Sequence, residues 1–88
     1  MTKLEEKLIE LGYKRRIDIP YGYYKYAFRD GKGNFILIHI EILDNRIIYY
    51  SVQNITTFFR KQSEINNLQQ AFDEMQKDLE ELKKYESN

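Results

Sequence analysis

The stretch FILIHIEIL, Phe35 to Leu43, alternates strictly between two sets of side chains, and its reading sets the fold class. In an extended chain successive side chains point to opposite faces. Ile36, Ile38, Ile40 and Ile42 therefore make one wholly aliphatic face, and Phe35, Leu37, His39, Glu41 and Leu43 make the other. A sheet that presents such a face to water is unstable alone, so a second layer must cover it.

Partner strands lie on both sides. Upstream, DGKGN (Asp30 to Asn34) sets two glycines between Asp and Asn, a strong turn signal. Before it, Tyr23 to Arg29 alternates with period two, with Tyr24, Tyr26 and Phe28 on one side and Tyr23, Lys25, Ala27 and Arg29 on the other. Downstream, Asp44-Asn45 suits a tight hairpin turn into RIIYYSV. Turns this short join antiparallel neighbours. The expectation is a three-stranded antiparallel meander in which Tyr24, Tyr26 and Phe28 join the isoleucine face, leaving Tyr23 as a surface ring beside Lys25 and Arg29.

The two ends of the chain supply the cover. Thr2 and Glu5 form a capping box, Leu4, Leu8 and Leu11 make an apolar stripe at helical spacing, and Gly12 suits a left-handed helix end. Toward the C-terminus Ser63 reads as an N-cap, with Glu64 in the first turn where a negative charge suits the helix dipole. From Glu64 to Tyr85, the residues Ile65, Leu68, Phe72, Met75, Leu79 and Leu82 recur at alternating spacings of three and four, a seven-residue repeat. That helix would be ~33 Å long at ~1.5 Å per residue, against ~23 Å for a seven-residue strand. Its far end, Met75, Leu79, Leu82 and Tyr85, is expected to meet a second copy in a homodimer seam, with packing on the chain's own sheet as the alternative. Between sheet and helix, QNITTFFRKQ is expected to bury Ile55, Phe58 and Phe59 at least in part, as a fourth short strand or a packed loop. The fold class is α+β in a single domain over residues 1–88: an N-terminal helix, a three-stranded antiparallel meander, and a long amphipathic C-terminal helix covering one sheet face.

Composition narrows the chemistry. The 88 residues include no cysteine, which removes disulfides, thiolate metal sites and cysteine nucleophiles. No run approaches the ~18 apolar residues of a membrane span. The opening MTKLEEKLIELG is amphipathic and acidic rather than signal-like, so a cytoplasmic protein is expected. The charges balance overall, but residues 1–62 carry 11 of the 14 basic and 7 of the 14 acidic side chains, a net of +4, and residues 63–88 carry the opposing −4.

No constellation reads as catalytic. His39 is the only histidine, two residues from Glu41 on the same strand face, and a polar pair accounts for both. The glycines of DGKGN lie between strands, where phosphate cradles need a helix to follow. No enzymatic activity, metal or cofactor is expected; the chemistry on offer is binding.

The binding candidate is PYGYYKYAFRD, Pro20 to Asp30, with the basic residues just before it. Arg15, Arg16, Tyr21, Tyr23, Lys25 and Arg29 are the residues expected to meet a partner. Tyrosine and arginine are enriched at protein-interface hot spots, so another protein is the first reading. Rings on a sheet surrounded by cations also suit single-stranded DNA or RNA, which is the alternative. The acidic helix face, Asp73, Glu74, Asp78, Glu80 and Glu81, is a second candidate surface, a row of carboxylates able to imitate phosphates toward a basic target.

The segments LEEKLIELGYKR and NNLQQAFDEMQKDLEELKKYE, about a third of the chain, resemble small reading frames carried by phages and mobile elements of low-GC Gram-positive bacteria, staphylococci especially. The resemblance implies an accessory protein that binds and inhibits a host or rival protein, components of defence systems included. It transfers no functional residues.

Overall fold

The computed structural model of the protein describes residues 1–55 and 62–87. In chain order the elements are α1 (Lys3–Glu10), β1 (Lys14–Arg15), β2 (Gly22–Arg29), β3 (Phe35–Leu43), β4 (Arg46–Ile55) and α2 (Gln62–Lys83). The strands form one antiparallel sheet in the order β1-β2-β3-β4. The architecture is α+β as expected, with four strands in place of three. Among the described residues no helix is long and apolar enough to cross a membrane.

The extra strand is a product of tertiary structure. KRRIDIP has no alternation to announce it. Gly12, at φ +99°, closes α1 with a pair of back-bonds, Gly12 N–H to the Ile9 carbonyl and Tyr13 N–H to the Leu8 carbonyl, the double bond of a Schellman ending. That turn sends Lys14 and Arg15 back beside Tyr24 and Tyr23. The other local signals act as read. Thr2 and Glu5 complete the capping box, and Asp44 and Asn45 take φ of +52° and +61°, the left-handed pair that a two-residue hairpin turn requires.

Ile36, Ile38, Ile40 and Ile42 are buried, but the partner face of β2 is the reverse of the expected one. Tyr23 pairs with Ile40 and Lys25 with Ile38, so these two share the isoleucine face, while Tyr24 opposite His39 and Tyr26 opposite Leu37 lie on the other. Register sets the face, and a one-residue slip exchanges the two. A bulge between Tyr26 and Phe28 then switches sides, which returns Phe28 to the isoleucine face opposite Ile36.

Both helices lie on that face. Leu4 and Leu8 of α1 and Met75, Leu79 and Leu82 of α2 are buried in one cluster with Tyr13, Tyr23, Ile38, Ile40 and Ile42. The residues expected to form a dimer seam, Met75, Leu79 and Leu82, are therefore core, and Tyr85 packs against them. The far end of α2 does not overhang, because α1 and the β3–β4 hairpin extend beneath it. Asn45 Nδ2 donates to the Tyr85 carbonyl at 3.2 Å, Ser87 N–H to the Asn45 carbonyl at 3.1 Å, and Ile47 N–H to Glu86 Oε2 at 2.8 Å. The exposed apolar residues of α2 are instead Ile65 and Phe72, 44% and 42% accessible. The helix begins at Gln62, so Ser63 falls inside its first turn rather than ahead of it. Ile55 ends β4 and is exposed, and Phe58 and Phe59 lie outside the described residues.

Leu82 has no solvent exposure, so Leu82→Ala should cost about 2–5 kcal/mol. Ile9→Ala, on the exposed side of α1, should stay within about 0.5 kcal/mol. Urea denaturation of the two variants checks the contrast.

Candidate functional site

The six residues expected to form one partner surface are divided between the two faces of the sheet. Lys25 sits on the covered face, where an unpaired ammonium would be costly. Its Nζ reaches Asp78 Oδ2 at 2.5 Å and Glu74 Oε2 at 2.9 Å, donates to the Leu11 carbonyl at 3.2 Å, and lies 4.7 Å from the centre of the Tyr13 ring. Tyr13 in turn donates its hydroxyl to Asp78 Oδ2 at 2.7 Å. Burial first, and then the Asp78 carboxylate, push the Tyr13 hydroxyl far above its ordinary range. Tyr23 is also core, 5% exposed, with its hydroxyl donated to Glu5 Oε2 at 3.2 Å, and burial leads the causes that raise its pKa. Both residues are structural.

The opposite face carries no helix among the described residues, and there the aromatic residues gather. Tyr24, Tyr26 and Phe35 meet edge to face, with ring centres 5.7 Å and 5.4 Å apart, the arrangement that ring quadrupoles favour. Arg29 lies over the Tyr26 ring at 5.1 Å. Beside this ladder His39 is 1% exposed. Its Nε2 lies 2.9 Å from Glu41 Oε2, its Nδ1 3.4 Å from Arg16 Nη1, and Tyr49 meets its ring edge-on at 5.9 Å. Arg16 also pairs with Asp18, and that contact holds the Asp18 carboxyl below its ordinary range. The segment from Arg15 to Asp18 stands beside the rings and encloses a groove of 400 Å³ with Tyr24, Tyr26, Phe35 and Leu37. Ile17 is fully exposed at its rim.

Of the expected contact residues, Arg16 and Arg29 border this open face; Arg15, opposite Tyr23 in the register, lines both the groove and a separate cleft near Asp44 and Asn45, where Tyr21 stands exposed at φ +65°. Phe35, Tyr49 and Ile17 were missed. The alternation of FILIHIEIL already put Phe35 on the non-isoleucine face, whereas Tyr49 needed the β3–β4 register. The acidic row on α2 is largely consumed within the chain. Asp78 and Glu74 hold Lys25, Glu81 pairs with Lys7 and Lys84, and Asp73 accepts from Gln69, which leaves Glu80 facing solvent.

Compared with known proteins, the chain matches no family model, no curated protein and no solved structure at a significant level.

Asp78→Ala removes the acceptor of the buried Tyr13 hydroxyl and leaves Lys25 with Glu74 as its carboxylate, and should destabilise the fold by about 1–3 kcal/mol. The Lys25→Met, Asp78→Leu double variant should recover most of that loss in denaturant titrations. Stability should also fall as pH rises above about 10, where the unfolded chain ionises Tyr13 and the folded chain holds it neutral. Tyr13→Phe should flatten that alkaline limb in thermal melts.

Proposed function

We propose that this protein acts without catalysis, by docking on another protein through the uncovered sheet face. The observation that carries the reading is the ladder of Tyr24, Tyr26 and Phe35 beside an open groove, with Arg16, Arg29 and the fully exposed Ile17 at its border. Rigid rings with two side-chain torsions lose little entropy on binding, and guanidinium groups add directional contacts to carboxylates or carbonyls. The resemblance of the chain's two ends to phage and mobile-element accessory reading frames supports the specific form of binding we propose, inhibition or modulation of a host or defence protein.

Single-stranded DNA or RNA is the second reading, and the electrostatics weaken it. Phosphate binding draws on cations free to release counterions. Lys25 is committed to Asp78 and Glu74 on the far face, and Arg16 is shared between Asp18 and His39. The rings also meet one another edge-on, which turns fewer flat faces outward for base stacking.

A tagged protein expressed in a bacterial host should retain a stoichiometric partner that the Ile17→Asp, Tyr26→Asp variant loses while its thermal melt is unchanged. Glu80→Lys should retain it. Titration against labelled single-stranded DNA and RNA at low salt should show no salt-sensitive binding. Salt-sensitive binding lost in the Tyr26 variant would replace the protein-docking reading with the nucleic-acid one.

A further inference from the structure

The outer edge of the sheet carries a second kind of recognition, independent of the open face. Among the described residues β4 is the last strand, and at ten residues it is the longest. Backbone groups along such an edge are a template for another strand, and proteins blunt them with lysine, proline, bulges or a covering segment. The first third of β4 is blunted in this way. It bulges opposite Glu41, and the outward Ile47 N–H is taken by Glu86. From Tyr49 to Ile55 there is no charge, no proline and no glycine.

The register tells which groups are free. Ile42 N–H bonds across to Tyr21, so the isoleucines of β3 turn their backbone toward β2, and the alternate residues of β3 turn theirs toward β4. Tyr50 and Val52, which pair opposite Ile40 and Ile38, therefore direct their N–H and C=O groups away from the sheet. No described residue occupies them.

The helix layer above this edge is open on the same side. At 3.6 residues per turn, Glu74 and Asp78 lie on one flank of the buried Met75–Leu79–Leu82 stripe, and Ile65 and Phe72 lie on the other. Glu74 and Asp78 reach Lys25 on β2. The flank with exposed Ile65 and Phe72 is thus the one turned toward β4. Tyr50 adds a ring that is 47% exposed on the helix side of the strand.

We propose that two copies of this chain join edge to edge, β4 against β4 and antiparallel, about a two-fold axis at Ser51, with the Ile65–Phe72 flank of each α2 facing that of its partner. An extended peptide could satisfy the strand edge but would leave the helix flank bare. A second copy, turned about a two-fold perpendicular to the sheet, brings both. In this register Tyr50 and Val52 of opposite copies exchange backbone hydrogen bonds as an aromatic–β-branched pair, and Ser51, whose hydroxyl has no partner among the described residues, stands opposite its counterpart. Ile47 to Ile55 contains no charged residue, so no like charges meet across the axis. The product is a continuous eight-stranded sheet with all helices on one side and both open faces on the other.

Sedimentation of the wild-type protein should give a dimer, and Tyr50→Lys, which sets a charge on the edge, should give a monomer with an unchanged far-UV spectrum. Phe72→Glu, on the exposed helix flank, should weaken the dimer in the same direction. The chain has no cysteine, so Ser51→Cys introduces a single thiol. Non-hydrogen-bonded antiparallel pairs bring Cα atoms to about 4.5 Å, inside the disulfide range of about 4.4–6.8 Å. Ser51→Cys should therefore crosslink under oxidised glutathione, and Lys77→Cys, on the solvent side of α2, should not. A wild-type monomer at the highest soluble concentration would overturn the proposal. So would a dimer undiminished by Tyr50→Lys, or one in which Ser51→Cys fails to crosslink.

Discussion

A four-stranded sheet has two faces, and the helices described in this chain cover one of them. Leu4 and Leu8 of α1 and Met75, Leu79 and Leu82 of α2 all close on Ile38, Ile40 and Ile42. The second face has to shield itself. Leu37 and His39 are buried there with no described helix above them, next to edge-on rings, Arg29 over Tyr26, and the contacts of His39 with Glu41, Arg16 and Tyr49. The proposed docking face is thus a consequence of how little helix there is. Side chains large enough to protect a sheet from water are also large enough to recognise a partner.

The covered face contains its own cost, an ammonium and a carboxylate in the core layer. Lys25 and Asp78 are tolerable there because Tyr13, Glu74 and the Leu11 carbonyl satisfy the remaining valences. Replacing such a pair by apolar groups is often neutral or stabilising, so its value lies in geometry. An apolar stripe with a seven-residue period lets a helix rotate or slide by a turn with little penalty. A carboxylate that must meet one lysine on β2 fixes which flank of α2 faces β2 and which faces the β4 edge. The Glu86 and Ser87 contacts with the β3–β4 hairpin set the same helix lengthwise.

These constraints also explain which sequence inferences fail. Tyr23 to Arg29 carries aromatic residues on both sides of its alternation, so periodicity alone cannot say which side is buried. The answer came from pairing Tyr23 with Ile40, and from a bulge at Ala27 that no turn residue announces. The heptad of α2 was legible, but its partner was not. A three-four stripe serves a neighbouring helix and an underlying sheet equally well, and the buried Leu79 and Leu82 turned out to face their own chain. β1 has two residues and no pattern, and exists because the Gly12 turn aims it at β2.

Local signals determined what depends on a few adjacent residues. The isoleucine strand, the capping box at Thr2, the left-handed stop at Gly12, the Asp44-Asn45 turn and the amphipathic C-terminal helix follow from backbone sterics and side-chain period, which a sequence displays directly. The tertiary structure alone decided which face of β2 is buried, where Lys25 finds its carboxylates, which end of α2 stays open, and that β4 ends the sheet of described strands with the outward backbone of Tyr50 and Val52 facing no described residue. Each of these depends on register between segments distant in the chain, and a shift of one residue in that register moves every side chain to the opposite face.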